Sequence, residues 1–365
     1  MLLSPIGMPL DALDTPTLLL DLTKFERNVA TMARRFRESR IAWRPHAKAF
    51  KSPAIAHALR KAGAIGVTVA KVSEAEVMVA GGIDDVLIAH LVVGPTKTAR
   101  LAALQRQGEV KATVDHPSQV EPLSQAAQAI GVTIGLLVDV DLGMERCGVN
   151  APKAAAALAQ RVASAPGLRF DGVMGYEGHT LLIENPEEKR QAIETAIGRL
   201  LDARTEIERA GLPCRIVSAG GTGSYQISST IPGLTEIQAG GGVFACRYYT
   251  ELCKVQGHEP AIALLATVVS RPEGNRAILD IGQKSVSGYR TPPVLRDYPG
   301  CEVVSLSAEH AKVSLADGTS LEIGEKVIVI PGYSDFTFVL HDRVLAQRDG
   351  IVESVWELTG RGKLQ

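Results

Sequence analysis

The sequence predicts an α/β protein in two parts, an eight-stranded (β/α)8 barrel followed by a C-terminal antiparallel β domain. Two observations carry this expectation. Between Ile41 and Gly240, short β-rich apolar runs alternate with longer amphipathic stretches, the pattern that yields a parallel sheet with crossover helices. After about Cys253 the pattern changes to short strands punctuated by tight-turn pairs, Glu273-Gly274, Asp317-Gly318 and Asp349-Gly350. The expected spans are residues 15–255 for the barrel, and 1–14 with 256–365 for the β domain.

Taken in order, the first element is the strand TPTLLLDL. It precedes the barrel and is a candidate to pair with the C-terminal strands, which would make the β domain discontinuous. The segment Thr23–Ser39 reads as a helix, because Phe25, Val29, Met32 and Phe36 recur at spacings of four, three and four on one face. The eight barrel strands are IAWRP, GVTVA, DVLIA, KATVD, TIGLLVDV, FDGVMGY, CRIVSA and TEIQA. Between them Ser52–Ala62, Ser73–Ala80, Pro117–Ala129 and Pro186–Ala210 carry helix formers, and several open with Ser or Pro, as helix starts often do. The C-terminal strands lie in AIALLATVVSRPEGNRAILDI, AKVSLADGTSLEI, EKVIVIPG and FTFVLHDRVLAQRDGIVESVW.

Composition narrows the partners. With 365 residues, 45% apolar and 22% charged, the chain has the makeup of an ordinary globular protein. A formal net charge of -1 gives no basic surface for nucleic acid or a membrane, so a small molecule is the expected partner. The start has no basic region leading into an apolar stretch, and no apolar run approaches the roughly 20 residues that span a bilayer. A cytoplasmic location is the expectation. Five scattered cysteines without a CxxC offer neither a disulfide framework nor a zinc-finger pattern, and are read as packed thiols.

In a β/α barrel the reactive groups lie at the C-terminal ends of the strands. Those positions hold Arg44-Pro45-His46-Ala47-Lys48, the stretch from Asp139 to Arg146, Tyr176-Glu177-Gly178-His179, Gly220-Gly221-Thr222-Gly223-Ser224 and Gly240-Gly241-Gly242. A lysine at the mouth can form an imine with an aldehyde cofactor if part of it is neutral, and burial beside Arg44 would favour that. It can equally be a solvated surface charge. Glycine turns on neighbouring strands would expose backbone N–H groups as a phosphate cradle, or simply make tight turns. Arg146 could hold a permanent charge against a cofactor phenolate or a substrate carboxylate, or pair at the surface. Tyr176 could bond or pack on a cofactor ring and His179 could support a proton transfer; a packed tyrosine and a satisfied histidine are the plain alternatives.

These residues resemble the D-threonine aldolase and eukaryotic-type D-serine dehydratase group, itself related to the alanine racemase fold. The resemblance covers nearly the whole chain and rests on TPTLLLDL, RPHAKAFKS, DVDLGMERCGV, YEGHT, GGTGSY, EIQAGGGVF and HDRVLAQRDGIVESVWELTGRGK, in that order. It implies pyridoxal 5'-phosphate as cofactor, with Lys48 as the Schiff-base lysine and His46 in the cofactor site. It also implies Thr222, Gly223, Gly241 and Gly242 at the phosphate, Arg146 beside the phenolate and Tyr176 near the pyridine nitrogen. Arg146 and His179 are the expected substrate contacts. A homodimer is implied, each active site closed partly by the other subunit.

Three positions depart from the group. Phe50 stands where PHxKTHK has its second histidine, and Ala239-Gly240-Gly241-Gly242 stands where the group reads AGSY. Tyr333-x-Asp335 replaces the His-x-Cys or His-x-Asp that binds a divalent metal (Mn, Mg or Zn) near the C-terminus. A phenol of pKa near 10 is a weaker ligand than imidazole, so the metal becomes doubtful, with Asp335 and His341 the remaining candidates.

The function so implied is a lyase acting on a D-3-hydroxy amino acid, cleaving it to glycine and an aldehyde. A dehydratase giving a keto acid and ammonia ranks second, and a racemase using Lys48 and Tyr333 third. A PLP-binding protein without turnover is the rival from another class, and the long C-terminal domain speaks against it. A metal hydrolase is weaker still, since no HxH or HExxH occurs.

Overall fold

The structure, a computed structural model, describes residues 4–365. By contacts the chain separates into two compact units. One holds 33–48, 53–240 and 362–365; the other holds the chain up to Met32, 49–52 and 241–361.

The first unit is the barrel. Its strands are β2 (Ala42–Trp43), β3 (Val67–Val69), β4 (Asp85–Leu91), β5 (Glu109–Val114), β6 (Ile134–Asp139), β7 (Leu168–Met174), β8 (Ile216–Ala219) and β9 (Glu236–Ile237), all parallel, in the order β2-β9-β8-β7-β6-β5-β4-β3. The remaining seam, between β2 and β3, is bridged at His46 and Thr68, with Ile65 N–H on Trp43 O at 2.9 Å and Thr68 N–H on Pro45 O at 3.0 Å. All eight strands coincide with predicted runs, although β4 runs two residues past DVLIA and β5 and β7 each start two residues before KATVD and FDGVMGY. Helices α2 (Pro53–Lys61), α3 (Val72–Ala80), α4 (Pro95–Leu104), α5 (Val120–Ile130), α6 (Pro152–Ser164) and α7 (Pro186–Arg209) follow the strands. Proline opens α7 and Asn185 caps it, accepting from the N–H of Glu187 at 2.9 Å and of Glu188 at 3.2 Å. Helices α4 and α6 were not singled out in the sequence; α6 is alanine-rich, so its apolar face is weakly marked.

Leu87, Leu137 and Met174 form an apolar cluster in this unit. At the opening ends of the strands lies an ionic chain instead. Arg44, just after β2, bonds Glu236 at 3.0 Å and Asp85 at 2.7 Å; Lys111 meets the same Asp85 at 3.1 Å and Glu109 at 3.4 Å; Arg169 meets Glu109 and, at 2.7 Å, Asp171. Arg44 is 2% exposed, and although burial works against its charge, Glu236 and Asp85 outweigh that and raise its pKa. Arg44, expected as a cation beside Lys48, instead has its charge matched by two carboxylates.

The second unit is built on one nine-stranded sheet. Strand β1 (Thr17–Asp21) pairs antiparallel with β10 (Ile262–Ser270) and parallel with β16 (Arg343–Arg348), placing Leu19 opposite Ala263 and Leu345. Around them lie β11 (Arg276–Leu279), β12 (Val294–Leu295), β13 (Glu302–Leu306), β14 (Ala311–Ser314), β15 (Lys326–Ile330) and β17 (Ile351–Glu357). Hydrogen bonding therefore ties β1 to the C-terminal strands, and the compact units break after Met32 and Gly240 rather than at 15 and 255. The β16–β17 hairpin turns on Asp349 and Gly350 alone, with φ of 49° and 82°, the left-handed pair that a two-residue loop requires. Helix α1 (Leu22–Glu38) follows β1, and all four residues of its predicted face are buried.

Phe50 is fully buried in this unit. Its ring lies 6.3 Å from that of Phe244, which in turn packs on Phe338 at 4.7 Å and Phe25 at 5.9 Å. The side chain found in place of the group's histidine is thus part of an aromatic core. No helix among the described residues is long and apolar enough to cross a membrane.

Candidate active site

In the barrel unit three of the expected residues come together on one aromatic ring. Lys48 Nζ lies 5.7 Å from the centroid of the Tyr176 ring, and Arg146 Cζ lies 5.7 Å from the same centroid. Lys48 sits on the short turn Ala47–Ala49 and is half-buried, so it is not a fully solvated charge. His46 is half-buried too; its backbone N–H bonds Gln238 O at 3.0 Å, and its Nδ1 receives the Lys48 N–H at 3.4 Å.

Glycines make room for Tyr176. A Cβ added at Gly178 would stand 2.5 Å from one edge of its ring, and one at Gly221 would stand 2.8 Å from the other. Real side chains do not tolerate such approaches, so the glycine of the first turn is dictated by packing as well as by the bend. Thr222 is buried, and Gly220 to Ser224 form a turn closed by Tyr225 N–H on Gly221 O at 2.9 Å.

The loop carrying Arg146 is held by three aspartates. Asp141 Oδ1 accepts from the N–H of Gly143, Met144 and Glu145 at 2.9, 3.0 and 3.1 Å, while Asp115 accepts from Gly148 N–H at 3.1 Å. At the end of β6, Asp139 accepts from the Cys147 thiol at 3.3 Å. Burial pushes the Asp139 pKa up to about 6 against the opposing pull of Cys147 and Arg146, and burial also raises the Cys147 thiol, which keeps it protonated. The other four cysteines are buried, and none forms a disulfide. His179 is exposed and lines a cavity of about 380 Å³ with Leu142, Gly143, Glu188 and Arg199.

Glu177 went unremarked in the sequence. Its carboxylate is fully buried and accepts from Gly220 N–H at 3.2 Å, Ser224 Oγ at 2.6 Å and Ser228 Oγ at 2.9 Å. Its place beside Tyr176 was visible, but its partners lie more than forty residues away along the chain.

The remaining candidates belong to the second unit. Gly241 and Gly242 lie buried in the turn Gly241–Val243, and a Cβ on Gly241 would meet the Tyr249 ring at 2.4 Å. The departure from AGSY is thus tied to that ring. Tyr249 donates to Asp335 at 3.3 Å, and Tyr333 donates to the same carboxylate at 3.0 Å. Burial, then Asp335, hold the Tyr249 hydroxyl well above the usual phenol range. His341 is directed elsewhere, with Nε2 2.7 Å from Ser285 O and its pKa lowered by burial.

These donors do not fit a divalent cation. A hard oxygen site needs several carboxylate or carbonyl ligands, and manganese or zinc favours imidazole or thiolate. Here one carboxylate has two phenols bonded to it, and the nearby histidine is engaged with a carbonyl. The barrel residues do fit pyridoxal phosphate: a half-buried amine and an exposed guanidinium that approach the same aromatic ring, and a glycine turn cut to that ring's shape.

Comparison with known proteins agrees with the fold. The alanine racemase N-terminal domain family matches residues 20–247, and a serine dehydratase domain matches 261–346. The chain is 36% identical to a D-threonine aldolase from Arthrobacter sp., covering 98% of this chain and 95% of that one. It is 34% identical to a 3-hydroxy-D-aspartate aldolase from Paracoccus denitrificans, covering 98% and 94%. Among solved structures, the D-threonine aldolase from Filomicrobium marinum superposes with a TM-score of 0.96 at 37% identity, covering 99% and 100%.

Proposed function

The chain belongs to the D-threonine aldolase family of pyridoxal-phosphate lyases built on the alanine racemase N-terminal domain, and from that premise we propose that it cleaves a D-3-hydroxy amino acid to glycine and an aldehyde. The observation that carries the reading is the placement of Lys48 and Arg146 on the ring of Tyr176.

Lys48 would hold the cofactor covalently through its amine, with Thr222 and Gly223, and Gly241 and Gly242, at its phosphate. Arg146 would balance the cofactor's phenolate or the substrate carboxylate, His46 and Tyr176 would fix the ring, and His179 would meet the substrate. When bound, pyridoxal phosphate would supply an electron sink for the charge that develops at Cα. The β-hydroxyl gives up its proton, the Cα–Cβ bond breaks to release the aldehyde, and Cα takes up a proton to leave glycine. Tyr333 is the proposed acceptor for the hydroxyl proton, passing its own proton to Asp335 as it does so, and the protonated Lys48 amine the proposed donor to Cα. No step is assigned to a metal, because the donor set around Asp335 does not suit one.

Dehydration of the same substrates begins at the same Cα and is the second reading. The two separate in one experiment. Incubation with D-threonine, D-serine and D-3-hydroxyaspartate should release an aldehyde and glycine from at least one of them. A keto acid with ammonia would select the dehydratase instead, and no product from any would remove both. Lys48→Ala should abolish a borohydride-sensitive visible absorption band; a persisting band would refute the lysine assignment.

A further inference from the structure

Glu177 is a buried carboxylate that joins the segment carrying Tyr176 to the glycine turn after β8. All three of its donors lie between Gly220 and Ser228. Ser224 Oγ, which donates to Glu177 at 2.6 Å, also accepts the Gly221 N–H at 3.1 Å. One anion thereby fixes both glycine N–H groups at the start of the turn, the first directly and the second through a hydroxyl. Ser224 is 1% exposed and Ser228 fully buried, so water does not compete for these bonds. The residues that follow at once are Thr222 and Gly223.

We infer that Glu177 is a positioning residue for the cofactor phosphate: it sets the conformation of the Gly220–Ser224 turn that receives the anion, while touching neither cofactor nor substrate. The inference rests on the cofactor reading above. A carboxylate suits the task because its two oxygens accept from several donors at once. A glutamine of the same shape has one acceptor oxygen and an NH2 group, which would confront the Gly220 N–H or a hydroxyl with a second donor. The turn would then relax, and loss would fall on the phosphate end of the ligand alone.

Pyridoxal, which lacks the phosphate, separates this role from a merely structural one. The full-length apoenzyme is titrated with pyridoxal phosphate and with pyridoxal, following visible absorbance. Glu177→Gln should weaken pyridoxal phosphate about tenfold or more, as expected for a lost bond to a charged group, and leave pyridoxal within about twofold. Ser228→Ala, which removes one donor and leaves the turn's own bonds intact, should show a smaller loss in the same direction and serves where Glu177→Gln does not fold. Equal loss for both ligands, or undiminished pyridoxal phosphate affinity in both variants, would overturn the inference. A wild-type protein that binds neither ligand would overturn the cofactor reading itself.

Discussion

Asp139→Asn should stabilise the protein at neutral and alkaline pH and do so less and less as the solution is acidified. Asp139 is 4% exposed, and burial lifts its pKa from 3.8 to about 6. A carboxyl whose pKa rises on folding binds its proton more tightly in the native state. Its favourable contribution is therefore complete below about 3.8 and disappears as pH climbs through about 6. Across that gap, at 1.36 kcal/mol per pKa unit, the ionised group costs the native state about 3 kcal/mol at pH 8. Asparagine keeps an oxygen to accept the Cys147 thiol and carries no charge to bury. For a unit of this size the difference corresponds to about 6 to 12 °C in melting temperature. The assay is thermal unfolding of wild type and variant between pH 5 and pH 8. The variant's advantage should grow from pH 5 to about pH 7 and then level off. An advantage that does not change with pH, or a variant less stable at pH 8 than at pH 5 relative to wild type, would refute the burial argument.

Gly221→Ala should displace the Tyr176 ring, since the new Cβ would begin 2.8 Å from it, and cost about tenfold in cofactor affinity measured by absorbance titration. Dialysis against a strong chelator should leave aldehyde release unchanged, with elemental analysis finding no stoichiometric manganese or zinc; activity restored only by added metal would reverse the reading of Asp335. Phe50→Ala should destabilise by about 3–5 kcal/mol in chemical denaturation, because the ring is fully buried among Phe244 and its neighbours. A loss below about 1 kcal/mol would mean that this core refills the space.

The strands were legible because each buried run is short, β-branched and bounded by turn residues, so GVTVA and TIGLLVDV announce β3 and β6 without help from the rest of the chain. The position of β1 was legible as a possibility, but its partners, more than 240 residues away, were not. Lys48, Tyr176 and Arg146 could be named one by one from their places after strands. That Tyr176 lies within reach of the other two is a fact of the closed barrel, which local sequence does not encode. Arg44 was misread for the same reason: a guanidinium four residues before a lysine looks like its neighbour, whereas its charge is spent on carboxylates from β4 and β9. Glu177 carries no local signature at all, since an acid between a tyrosine and a glycine resembles any loop residue until its distant hydroxyl partners are seen. Tyr333 and Asp335 were identifiable as a departure from a pattern, but their common bond, with Tyr249 as third member, came only with coordinates.

The ionic chain at the opening ends of the barrel strands bears on how this scaffold can be altered. Asp85 serves two cations, Glu109 serves two, and Arg44 and Arg169 each serve two acids, so the members form a linked series across five strands or strand ends. Replacing a partner of the buried members Arg44, Glu236, Lys111 or Asp171 leaves a buried charge unpaired, and paired substitutions along the chain will not add. The loops at the far ends of the same strands are tied at fewer points, chiefly by Glu177 to the Gly220–Ser228 turn and by Asp115 to Gly148. A library that varies the rest of those loops, and leaves both these bonds and the ionic base untouched, would explore new substrates at little risk to folding.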